Sequence, residues 1–218
     1  MLVSELAERA EVPLATVKYY LREGLLPAGE TTGPRRAEYD DLHLRRLRVL
    51  RLLREVGGVP VTSLRQIVEA LDDEEMPVHD AMAQIADVIS AGPEPGEQDA
   101  AALAMVDELF EVTGWDDIRA ESVDRLRLAA LVSTLNGPGP LGASVEVLSF
   151  YAGLADHLAR TEISLVDHSI ERSRLLEDMV TGSVVYGQVF ELLRQLGHEH
   201  HHARAVAALS EQRAAPAG

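Results

Sequence analysis

The sequence predicts a mainly α protein in two parts. A short N-terminal unit adds a small β-hairpin to its helices, and a longer all-helical part follows a linking helix. Three observations predict this. Ala, Leu, Glu and Arg dominate, with aromatics at only 4% of 218 residues, a balance that favours helices over sheets. Apolar residues recur at three- and four-residue spacings through most of the chain. Gly and Pro clusters divide the pattern at Gly57-Gly58, at 90–96 and at 136–142. The expected partition is 1–75, a linking helix at 76–91, a linker at 92–97 and an all-helical part at 98–218.

At 46% hydrophobic and 26% charged the chain is globular rather than disordered. It contains no cysteine, which excludes disulfides, Cys-ligated zinc, iron–sulfur clusters and thiol redox sensing. No apolar run approaches the roughly 18 residues of a spanning helix. The N-terminus has no basic segment ahead of an apolar core. A cytoplasmic location without membrane contact is expected.

The elements follow in order. Ser4 is the expected N-cap of a helix over 5–10. Glu11-Val12-Pro13 is a turn, and Pro13 suits the start of a second helix that ends near Gly24. Leu14, Val17 and Leu21 share one face of that helix and should pack on Leu6 and Ala10. The other face carries Ala15, Lys18, Tyr19 and Arg22. Cations, a phenol and a small residue on one face suit a helix that enters a DNA groove; they are also compatible with an ordinary solvated face. Two short strands with a tip near 29–33 would form a wing carrying Arg35 and Arg36. Asp40-Asp41 then opens an arginine-rich helix, as acid at a helix N-terminus should, and 61–71 forms another.

Charge is unevenly distributed. Residues 1–60 hold 10 Lys+Arg against 9 Asp+Glu, whereas 61–218 hold 10 against 27. Phosphates repel an acidic protein, so a nucleic-acid surface would have to lie in the first segment. There Arg35, Arg36, Arg45, Arg46, Arg48, Arg51 and Arg54 crowd together.

The string Leu6-Ala7, Val12-Pro13, Thr16-Val17-Lys18-Tyr19-Tyr20, Gly24-Leu25-Leu26-Pro27, Tyr39-Asp40, Leu47 and Val56-Gly57-Gly58 resembles the MerR family of transcriptional regulators, in an actinobacterial-type branch, over about the first third of the chain. Two positions depart from the family pattern. Leu21 stands where an acidic residue usually follows the paired tyrosines, and Lys18 replaces the usual Arg. Lysine can hold a phosphate but cannot make a bidentate guanine contact.

The resemblance implies a winged helix-turn-helix that binds double-stranded promoter DNA as a dimer, at a pseudo-palindromic operator. It implies action with RNA polymerase by distorting DNA so that separated promoter elements realign. Thr16, Lys18, Tyr19 and Arg22 carry over as recognition-helix contacts. Arg35, Arg36 and Tyr39 carry over as wing contacts, with Arg45 and Arg46 as further phosphate contacts. Val78, Met82, Ile85 and Ile89 give a 4-3-4 apolar seam. The seam suits a helix packed on its own chain, and the resemblance tilts it towards an antiparallel inter-subunit pair.

Residues 97–211 read as five or six helices with enough chain for an independent core. This half also resembles, at fold level, the ligand domains of TetR-type regulators. Trp115, Tyr151, His157, His168, Met179, Tyr186 and Phe190 are candidate cavity residues for a small organic effector; packing positions are the alternative. Metal- and redox-sensing relatives commonly use cysteine, which this chain lacks. His198, His201 and His202 have spacings that could share a metal, or a hydrated helix face, with Gly197 expected to break the helix just before them. No cofactor is expected. No nucleophile elbow, phosphate loop or HExxH motif points to an enzyme. The competing reading is a drug- or metabolite-sequestering protein with a vestigial DNA-binding unit.

Overall fold

The computed structural model describes residues 1–33, 36–90, 99–136, 142 and 144–214, with side chains described to residue 205 except at residue 36. The linker expected at 92–97 and the tail beyond residue 214 lie outside the described residues. The N-terminal unit consists of α1 (Val3–Arg9), α2 (Leu14–Arg22), a hairpin of β1 (Glu30–Gly33) and β2 (Arg36–Glu38), α3 (Asp41–Glu55) and α4 (Val61–Asp72). After α5 (Val78–Ile89) come α6 (Ala100–Thr113), α7 (Val123–Leu135), α8 (Val145–Ser164) and α9 (Arg172–Ala214).

Local chemistry sets most boundaries. α2 ends at Gly24, whose φ of 72° lies where a Cβ is disfavoured. Asp40 caps α3 by accepting the backbone N–H groups of Leu42 at 3.0 Å and His43 at 3.1 Å. Nδ1 of His43 lies 2.5 Å from the same carboxylate oxygen, within hydrogen-bond reach. One expected cap is corrected: α1 starts at Val3, Leu2 holds the N-cap position, and Ser4 lies inside the helix. The wing is also displaced. Residues 30–33 form its first strand instead of its tip, with Glu30 opposite Glu38 and Thr31 opposite Ala37.

The core of the first unit is built mainly from Leu47, Leu50 and Leu53 of α3, Leu64 and Ile67 of α4, and Ile85 of α5. Leu176, Val180 and Val184 of α9 complete it. Each such side chain removed from water contributes about 1.5–3 kcal/mol. The N-terminal turns of α9 therefore belong physically to the first unit's core, although more than a hundred residues separate them in sequence. Arg172 adds to this anchorage by donating to the carbonyls of Leu71 at 3.3 Å and Met76 at 2.7 Å.

The core of α6–α8 is thin. Its buried residues are Ala102, Val106, Ala129 and Val132, flanked by half-buried Leu103, Phe110, Leu128 and Leu148. The independent core expected for this half is thus not formed by the described residues alone. Large apolar side chains stand exposed on α8 and α9 instead, among them Phe150, Tyr151, Leu154, Phe190 and Leu193. Among the described residues four helices replace the expected five or six, because α9 runs 43 residues without a break at Gly197. An interior glycine costs only about 1 kcal/mol against Ala, too little to stop so long a helix. Among the described residues no helix is long and apolar enough to cross a membrane.

Candidate nucleic-acid interface

α1 and α2 pack through Leu6, Ala10, Val17 and Tyr20, all buried. Leu14, expected inside, is exposed, and Tyr20 fills the inward face in its place. Burial pushes the Tyr20 phenol above its ordinary pKa, because its anion would be poorly solvated. The turn between the helices places Glu11, a residue with a Cβ, at φ 55°. α3 holds it there. Arg51 donates to the Glu11 carboxylate at 2.6 Å and to the Ala10 carbonyl at 3.2 Å, while Arg48 donates to the Arg9 carbonyl at 3.2 Å. These arginines occupy carbonyls that the end of α1 leaves without helical partners.

With Val17 and Tyr20 inward, α2 turns Ala15, Lys18 and Arg22 to solvent, with Thr16 and Tyr19 half-buried beside them. The Arg22 guanidinium lies 5.2 Å from the Tyr19 ring centre. Its Nε–H donates to the neighbouring Glu23 at 3.2 Å. The face combines two exposed cations with a small residue that permits close approach to a groove.

The arginines of α3 behave differently. Nε of Arg45 donates to Glu177 at 2.6 Å, and Nε of Arg46 donates to the same carboxylate at 2.8 Å. Arg46 also reaches Asp72 at 2.6 Å. Arg46 is 6% exposed and Glu177 5%. Arg51 is shared by Glu11 and Glu55, and Arg54 donates to the Val59 carbonyl at 3.1 Å. The expectation that Arg45 and Arg46 contact phosphates is therefore corrected. Their Nε groups are engaged by a carboxylate of α9, and Arg46 is withdrawn from the surface. The arginine crowding seen in the sequence is largely internal bracing.

The wing is tied to the chain start. The Met1 ammonium donates to the Tyr39 carbonyl at 2.7 Å, and the Tyr39 N–H donates to the Met1 carbonyl at 2.8 Å. Tyr39 is 8% exposed, with its ring edge-on to His43 at 5.2 Å. It packs so close to Gly29 that a Cβ there would stand 2.9 Å from the ring and 2.7 Å from the Glu38 carbonyl oxygen. Tyr39, expected as a wing contact, is buried here and holds the wing in place. Arg36 opens β2, and Arg35 lies outside the described residues.

A short helix, a pinned turn, a second helix with a cationic outer face, and a hairpin before a braced third helix make a winged helix-turn-helix. The model for MerR HTH family regulatory proteins matches residues 1–71. Among solved structures, SCO5550 of Streptomyces coelicolor A3(2), described as a transcriptional regulator, is 30% identical. The alignment covers 94% of this chain and 97% of that one, with a TM-score of 0.69. The chain belongs to the MerR family. It is a DNA-binding transcriptional regulator by family, and the family is not one of enzymes. No curated protein matches it.

The remaining expected sites of this MerR-family regulator are dispersed. Ile85 is fully buried in the chain's own core, with Val78, Met82 and Ile89 packed around it. α4 and α9 pack on this side of α5, because α9 folds back onto it, and Val78, Met82 and Ile89 are left half-buried. Trp115 packs near Phe110 and donates to Asp156 at 3.2 Å, which lowers the Asp156 pKa. Tyr151, His157, His168 and Phe190 are exposed. None of these five lines the cavity shared by Met179 and Tyr186. His198, His201 and His202 lie exposed along continuous α9, and no metal-holding group of His, Asp and Glu forms among the described residues. Sequence reading missed Glu177. A glutamate among leucines carries no signal of a partner 131 residues away.

Proposed function

We propose that this regulator binds promoter DNA in the cytoplasm as a homodimer, with α2 of each subunit in the major groove of a pseudo-palindromic operator. The observation carrying this reading is the α2 face. Lys18 and Arg22 are solvent-exposed, while the arginines of α3 are committed to carboxylates and carbonyls. Lys18 and Arg22 meet phosphates or guanine acceptors, and Thr16 and Tyr19 support them by hydrogen bonding. Arg36 of the wing adds a flanking phosphate contact, and so does Arg35. Two wings gripping one duplex bend or unwind it, and that distortion brings promoter elements into register for RNA polymerase.

The dimer forms through α9 rather than through α5, on which α4 and α9 of the same chain pack. Tyr186, Val189, Leu193 and Leu196 are exposed and follow a 3-4-3 spacing, the pattern of a helix–helix seam. Burying this stripe against a second copy would complete the thin core of the C-terminal half and separate two α2 helices for a two-fold operator. The C-terminal half also receives a small organic effector that alters operator affinity.

The test is a mobility-shift titration with DNA from the chain's own upstream region, at stepped salt concentrations. A regulator shifts that fragment at low salt and loses affinity steeply as counterions compete. A protein that shifts no upstream fragment at low salt is not this regulator, and ligand sequestration would then be the better description.

A further inference from the structure

The first turn of α2 is apolar and open to solvent. Pro13 holds the N-cap position, and Leu14 and Ala15 follow it. All three are exposed, Leu14 at 38%. Among the described residues no side chain caps this end of the helix, and its first turn carries no acidic residue. Val17 and Tyr20 supply the inward packing of α2, which leaves Leu14 on the rim of the solvent face. Lys18 follows Leu14 by four residues and Arg22 by eight, so these exposed side chains lie on one row of the helix. That row runs from an apolar tip to two cations.

We infer that Leu14 reads a thymine methyl group in each half of the operator. The inference rests on the reading above, that α2 enters the major groove, and names a base feature recognised there. In a helix-turn-helix the N-terminal residues of the second helix meet base edges. Pro13, Leu14 and Ala15 offer no side-chain hydrogen-bond donor or acceptor. The apolar group that a base pair shows in the major groove is the thymine C5-methyl. Ala15 is small enough to let the backbone approach, and the longer Leu14 side chain supplies the contact. Lys18 and Arg22, one and two turns further on, meet phosphates or guanine acceptors. The cations hold the duplex, and the leucine selects T·A at one position of each half-site.

One methyl group removed from water is worth about fourfold in affinity. Uracil lacks that methyl and is otherwise identical to thymine, so it isolates the contact. Leu14→Ala removes the other partner. Alanine favours the helix, and circular dichroism checks that the variant keeps its fold.

The test is uracil interference on the upstream fragment, using the full-length protein. The fragment is made with thymine sparsely replaced by uracil, bound and free DNA are separated, and strand cleavage at uracil reads both fractions. The expected result is exclusion of uracil from the bound DNA at one thymine in each half-site, related by the two-fold axis. Duplexes with thymine or uracil at those positions then complete a cycle. Wild type should lose about fourfold per methyl, and Leu14→Ala should bind both duplexes equally. A Leu14→Ala protein that still prefers thymine overturns the inference, even if it binds both duplexes more weakly, because that loss is structural. Wild-type binding with no uracil-sensitive thymine also overturns it. Lys18→Ala and Arg22→Ala separate the two claims. Binding that weakens in both variants without any uracil effect upholds the α2 reading and overturns the leucine assignment. A protein that binds no upstream fragment, or binds as well in both variants as in wild type, overturns the α2 reading and the inference with it.

Discussion

The Nε–H of Arg46 donates to the Glu177 carboxylate at 2.8 Å, joining α3 of the DNA-binding unit to the start of the longest helix. Both side chains are more than nine-tenths buried. A buried pair is costly to desolvate and costlier still to break, because the survivor keeps an uncompensated charge. Glu177→Ala should therefore destabilise the chain by about 3 kcal/mol or more, measured by urea unfolding. Asp72 would retain part of the Arg46 charge. A loss below about 1 kcal/mol, the value of an exposed pair, would contradict the interior role.

The α3 cap predicts a pH dependence. The hydrogen bond with His43, together with the N–H groups of His43 and Leu42, holds the Asp40 carboxyl below its ordinary pKa. A carboxylate depressed in the folded state adds stability above its unfolded pKa, and that stability is lost as pH falls through the folded value. Asp40→Asn keeps a capping oxygen and removes the charge, so it should cost most near neutrality, about 0.3–1 kcal/mol for a charge at a helix N-terminus. The gap from wild type should close in acid below the ordinary Asp range. Thermal unfolding of both proteins across pH 2–7 measures it (roughly the window of carboxyl titration). A gap that widens in acid would refute the assignment.

The apolar stripe of α9 predicts a specific weak point. Leu193 is 61% exposed in the single chain, so Leu193→Asp should leave the helical circular dichroism unchanged. In a dimer it would bury a charge in the seam, which should weaken association about 100-fold or more. Sedimentation velocity over a concentration series reads this directly. A variant that dimerises as well as wild type would place the interface elsewhere.

Local signals were legible in the sequence, and distant pairings were not. The turn at Glu11-Val12-Pro13, the stop at Gly24 and the Asp40 cap each depend on a few neighbouring residues, so composition and spacing reveal them. The cationic face of α2 was readable for the same reason. The arginines of α3 misled because charge counting cannot tell a free guanidinium from one whose carboxylate lies on a helix beyond residue 171. The α5 seam has a similar history. Its apolar spacing is real, and α9, returning from far along the chain, packs against it, buries Ile85 and leaves Val78, Met82 and Ile89 half-buried. Gly197 was read as a break because a helix of 43 residues is rare enough that local propensity suggested two shorter ones. The cavity shared by Met179 and Tyr186 was only half visible, because its wall comes from three separated segments.

The central claim is that the DNA-reading charge lies on α2 and not on the arginine-rich α3. The most direct measurement is fluorescence anisotropy of a labelled upstream duplex, followed as a function of salt for wild type, Lys18→Ala, Arg22→Ala and Arg45→Gln. Each phosphate contact removed should flatten the slope of log K against log salt by about 0.9. The account predicts flatter slopes and weaker binding for Lys18→Ala and Arg22→Ala, with the wild-type slope retained in Arg45→Gln. A slope that falls in Arg45→Gln and is untouched at Lys18 and Arg22 would contradict it.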